Sequence, residues 1–205
     1  MSEHSFQASS VKSRRVEYID LLRGWAVLVM IETHVMNATL TNEIFESDFF
    51  RWIKFANGLV APSFLFASGL AYAVTTRRKL SDYLSFGPAL YKQIRRLLFV
   101  VMIGYLLHIP KFNFRQIITE TTELSWQIFF QADVLQCIGV SLLLIQLLLL
   151  LFRTERRLYV AVTGLAMLIP FVTPFIWGID FREILPLPLA GYMNGIHFPQ
   201  FPGFP

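Results

Sequence analysis

The chain has 205 residues, 55% of them hydrophobic and 16% charged, with a formal net charge of +4. A soluble globular domain carries about 25% charged residues, so the deficit argues against an ordinary water-soluble protein and for a chain whose main solvent is lipid. The basic residues sit in short clusters between apolar runs, not on a polar face, so nucleic acid is not an expected partner.

Residues 1–15 read as a polar cytosolic tail. The apolar run after it is too long for a signal peptide, is interrupted by charge and lacks a small-residue cleavage site. It is therefore read as a retained span. Crossing a hydrocarbon core of about 30 Å takes about 20 residues, and five segments qualify: 21–40, 55–74, 91–109, 134–152 and 158–177. The third is the shortest in purely apolar residues, so Lys92, Arg95 and Arg96 must snorkel to the interface at its inner end.

Loop charge sets the topology. Lys12, Arg14, Arg15, Arg77, Arg78, Lys79, Lys92, Arg95, Arg96, Arg153, Arg156 and Arg157 fall on one side, and Arg51, Lys54, Lys111, Arg115 and Arg182 on the other. The excess of positive charge marks the cytosolic side, so the N-terminus is expected inside. The fold class that follows is all-α: a polytopic transmembrane helix bundle of about five spans occupying 16–177. The proline- and aromatic-rich stretch 178–205 is expected on the outer side, without a helix because its prolines recur every second or third residue, and leading to further spans.

The first span raises the chemical question. It carries Arg23, Glu32 and His34, although a charge at the bilayer centre costs about 2.5–3.5 kcal/mol on insertion scales. Eleven helical residues turn about 1100°, so Arg23 and His34 share a face about 16 Å apart. With Asp20 one turn below Arg23 and Asn37 one turn above His34, they form a polar stripe. Such a stripe faces a bundle interior or a wet cavity. His34 is the candidate catalytic group. Asp20 is expected to pair with Arg23, and Glu32, almost opposite, needs another partner.

At matching depth the second span reads "NGLVAPSFLFASG", where Pro62 frees the Gly58 carbonyl. Asn57 and Ser63 are candidates for binding an acceptor or an oxyanion, as are Asp133 and Gln136 in "QADVLQC". His108 reads as interfacial. Arg23, Arg95 and Arg96 are candidates for an anionic donor. Cys137 reads as a small buried apolar side chain. No metal or bound cofactor is expected.

The blocks "YIDLLRGWAVLVMIETH", "NGLVAPSFLFASGLAYAV", "RRLLFVVMIGYLLHIP" and "DVLQCIGVSLLL" resemble, in order, those of bacterial multispan membrane proteins carrying the heparan-alpha-glucosaminide N-acetyltransferase catalytic domain. The wider superfamily shares an arginine, ten residues and a histidine in its first span, the spacing of Arg23 and His34. The resemblance covers about 16–205. It implies transfer of an acyl group from cytosolic acyl-CoA, acetyl-CoA for example, as co-substrate to a sugar or glycan acceptor across the bacterial cytoplasmic membrane. His34 would then be general base or transient acyl carrier. Members have about ten spans, so this chain is expected to be the N-terminal half; a homo-oligomer is compatible with it. The competing readings are a proton-coupled permease using His34 and Glu32, and a non-catalytic membrane scaffold.

Overall fold

The computed structural model describes residues 17–41, 47–109, 115, 117 and 121–195. The polar tail, Lys111 and the final "HFPQFPGFP" lie outside the described residues. The described residues are all-α, with no strand among them. The chain divides into two compact units, Met1–Ala67 and Ser68–Pro205.

In the first unit, α1 (Glu17–Thr39) is a single helix of 23 residues with Glu17 and Asp20 in its first turn, where the helix dipole favours negative charge. The Thr33 and Thr39 hydroxyls each donate to the carbonyl four residues back, at 2.8 Å, which satisfies them without water. The next helices are α2 (Asp48–Gly58) and α3 (Val60–Leu84), and α3 runs on into the second unit. Only Leu59 separates them. Pro62 therefore lies in the first turn of a new helix, where its missing N–H costs little, instead of unwinding the middle of a span.

The second unit contains the rest of α3, α4 (Pro88–Leu107), α5 (Glu123–Phe130), α6 (Val134–Phe152) and α7 (Glu155–Trp177). A short 3-10 turn (Phe181–Glu183) and α8 (Leu187–Met193) follow. Helices α4 and α6 form its main packing contact. Buried Leu90, Leu97 and Gly104 repeat every seven residues on α4, against Gln136, Gly139, Leu142, Gln146 and Leu149 on α6. A β-carbon on Gly139 would collide with the Val101 side chain and approach the Leu97 carbonyl to 3.2 Å. Small residues of this kind let helix backbones approach where lipid supplies no hydrophobic drive for association. Tyr83, Leu90, Leu149 and Leu158 form a buried cluster that joins α3, α4, α6 and α7.

Helix α7 buries only Leu158 and exposes Phe171 and Phe175 at 75% and 77%. That exposure suits hydrocarbon, not water. Three segments among the described residues are long and apolar enough to cross a membrane: Asp48–Leu84, Val134–Phe152 and Glu155–Trp177. Helices α1 and α4, with 23 and 20 residues, have the length, but their charged residues dilute the apolar run.

One expectation is corrected. The tail was read as free of helix, yet α8 forms within "LPLPLAGYM". Pro186 precedes it and Pro188 occupies its first turn, the place where a helix tolerates proline.

Candidate functional site

The polar residues of the first unit lie on α1 and on the α2–α3 junction. Because α1 is unbroken, Arg23 and His34 keep the three-turn relation deduced from spacing. The His34 ring is exposed and makes no hydrogen bond or ion pair among the described residues. Arg23 is half-buried. Asp20 and Asn37 are exposed.

Glu32 finds its partner in Asn57. A carboxylate only accepts, so the Asn57 amide nitrogen must face it. In that orientation the nitrogen donates to Glu32 Oε2 at 3.2 Å and to the Ile53 carbonyl at 3.3 Å, while the amide oxygen lies 3.1 Å from the Thr33 hydroxyl. Asn57 thus fastens α2 to α1 beside His34. Ser63 Oγ donates to the Leu59 carbonyl at 2.7 Å. An open groove of about 120 Å³, lined by Trp25, Ala26, Val29, Ala56 and Ser63 among others, runs along this junction. Its walls are apolar, so it suits an aliphatic group and not a charged one.

In the second unit, Arg95 and Arg96 are exposed at the start of α4, open to an anion. The other end of α4 meets the start of α6. Asp133 is the N-cap of α6, its Oδ1 accepting from the Val134 N–H at 2.7 Å. Its Oδ2 lies 3.7 Å from His108 Nε2, and His108 Nδ1 lies 2.9 Å from the Gly104 carbonyl. Gln136, one turn into α6, is 0% exposed, and neither amide atom has a partner among the described residues.

Around this core, Tyr105 and Tyr192 share a hydroxyl–hydroxyl hydrogen bond of 2.8 Å that ties α8 to α4. Burial first, and then this bond, pushes the Tyr192 hydroxyl well above the ordinary phenol range. Trp126, Phe129 and Phe130 of α5 pack as an aromatic group, with Tyr105 against the two phenylalanines. Deeper along α6, Tyr72 donates to Gln146 Oε1 at 2.9 Å in a buried contact.

The candidates thus divide: Arg23, His34, Asn57 and Ser63 lie in the first unit, and Arg95, Arg96, Asp133 and Gln136 in the second. Asp133 and Gln136 both lie at the start of α6. Sequence reasoning treated His108 as interfacial and missed Tyr105, Tyr192 and Gln146. The available signal was that Tyr105/His108 and Asp133/Gln136 are each three apart, at the end of α4 and the start of α6.

No curated protein and no solved structure matches this chain. The family model described as heparan-alpha-glucosaminide N-acetyltransferase, catalytic, matches residues 15–181, and the chain belongs to that family.

Proposed function

We propose that the protein is a membrane acyltransferase that moves an acetyl or other acyl group from cytosolic acyl-CoA to a sugar or glycan acceptor on the far side of the membrane. The observation that carries this reading is the family match across residues 15–181, which includes the whole of α1 with Arg23 and His34. In this reading five spans place the N-terminus inside, and the exposed guanidiniums of Arg95 and Arg96, with Arg23, take the phosphates of the donor. Arginine forks suit such groups because they bind phosphate bidentately.

Neutral His34 acts as general base. It takes the proton of the acceptor hydroxyl or amine as that atom attacks the thioester carbonyl. The carbon–sulfur bond breaks, and the leaving thiolate recovers the proton from the imidazolium. In the variant route, His34 itself carries the acyl group between donor and acceptor. The exposed ring favours either role, since no neighbouring group among the described residues occupies its nitrogens. Asp133 and Gln136 bind the acceptor or steady the oxyanion. Asn57 serves through Glu32 and Thr33, holding the helix that bears His34, and Ser63 assists only if its hydroxyl turns from Leu59.

Transfer of radiolabelled acetyl from acetyl-CoA to a panel of sugars by the full-length protein in membranes tests this. Labelled product that disappears with His34→Ala supports it. A protein that neither binds acetyl-CoA nor yields product returns the advantage to a proton-coupled permease, for which the Glu32–Asn57 contact within the helical layer is the supporting observation.

A further inference from the structure

The junction of α4, α6 and α8 is built around two acceptors that face each other. A backbone carbonyl only accepts, so the 2.9 Å contact to Gly104 puts the His108 ring proton on Nδ1. In the neutral ring, Nε2 is then a bare lone pair. The group opposite it, at 3.7 Å, is Asp133 Oδ2, also an acceptor. Asp133 is held in place, because its Oδ1 caps α6 through the Val134 N–H. A proton on Nε2 turns this meeting into a direct attraction between imidazolium and carboxylate.

What the junction covers gives it meaning. Gly104, one turn before His108, sits directly over the Gln136 amide, leaving no room for a β-carbon between them. Gln136 is fully enclosed and unpaired among the described residues, a costly state for an amide. It meets no substrate while α4 rests on it. The same stretch of α4 carries Tyr105, which holds Tyr192 and with it α8.

We propose that His108 and Asp133 form a proton-operated clasp that closes α4 and α8 over Gln136 when His108 is charged and releases them when it is neutral. The inference rests on the reading of Gln136 as a substrate-binding group; once uncovered, its amide presents a donor and an acceptor to a ligand carbonyl or hydroxyl. The titratable groups gathered here, among the described residues, are Asp133 and Cys137 from α6, Tyr105 from α4 and Tyr192 from α8. Between about pH 5 and 8 an imidazole is the side chain that ordinarily changes charge. The clasp is therefore shut on the acid side of that window and open on the alkaline side.

Cys137 supplies the probe. It is the single cysteine of the chain, its N–H bonds to the Asp133 carbonyl at 2.9 Å, and it interacts with Tyr192. Maleimide labelling of the full-length protein in membranes, normalised at each pH to the clasp-free His108→Leu variant, removes the thiol's own titration. The expected ratio rises with pH across the range, about pH 5 to 8, in which an imidazole ordinarily changes charge. Asp133→Asn keeps the helix cap and loses the rise, which guards against a misfolded leucine variant. A ratio flat across that range overturns the clasp. Gln136→Leu separates the two claims: it should abolish acetyl transfer and leave the labelling step intact. Unchanged transfer with an intact step overturns the role of Gln136 alone.

Discussion

Gly104 and Gln136 meet so closely that a β-carbon at position 104 would lie 2.6 Å from the Gln136 amide carbon and 2.7 Å from its oxygen. The glycine is there for contact across helices, since residue 104 sits inside a regular helix and needs no special backbone angle. Gly104→Ala should force the glutamine or the whole of α4 to shift. Overpacking of this sort costs about 1–3 kcal/mol, measurable as a lowered unfolding midpoint in detergent. Gly139→Ala should cost more, because one of its obstacles is the Leu97 backbone carbonyl at 3.2 Å, which cannot rotate away.

Gln136 offers a cleaner separation of stability from function. Burying an amide without partners costs about 1–3 kcal/mol by mutational measures. Replacing it by leucine, similar in volume and apolar, should leave stability unchanged or raise it. If the amide binds the acceptor, turnover should fall at the same time, so thermal midpoint and activity move in opposite directions. A residue that only packs would move them together.

The helices of this protein were legible because lipid writes them plainly: residues 134–152 read as a span and form one apolar helix with the same bounds, long enough to cross a membrane. The apolar run starting near residue 55 was harder. Phe49 and Trp52 belong to α2, but the nearby Arg51 and Lys54 break the hydrophobic signal that a span-length window needs. Helix α5 was missed for a different reason. Its eight residues are too few to cross a membrane, and its N-cap, Thr122 accepting from the Ser125 N–H at 3.3 Å, is a local signal a search for spans passes over. Contacts between helices were the least legible part. Spacing along α1 gave the Arg23–His34 relation, because both lie on one rod. Nothing in the one-dimensional pattern joins Glu32 to Asn57 or His108 to Asp133, since those depend on which helix ends meet.

The Asn57 contact should be structural in its first effect. Removing the amide with Asn57→Ala leaves the Glu32 carboxylate without its donor, and an abandoned charged acceptor costs about 1–3 kcal/mol or more. A double-mutant cycle with Glu32→Gln measures the coupling. An interaction energy below about 0.5 kcal/mol would mean that solvent or lipid headgroups already satisfy the carboxylate.

Arg23 and His34 should fail in different ways if the proposed chemistry is right. His34→Ala removes the proton acceptor, so kcat should fall by about 10²–10⁴, the range spanned by general acid–base catalysis. Membrane insertion should be unaffected, because alanine favours both helix and bilayer. Arg23→Ala takes away a half-buried charge. Its loss should raise the KM for acyl-CoA and spare that for the sugar, since a uniform binding contact shifts KM with little change in kcat. Arg23→Lys should recover only part of the donor affinity, because an ammonium cannot reproduce the two-pronged guanidinium contact with phosphate. Steady-state kinetics with each substrate varied in turn distinguishes these patterns, and equal effects of Arg23→Ala on both KM values would remove this arginine from the donor site.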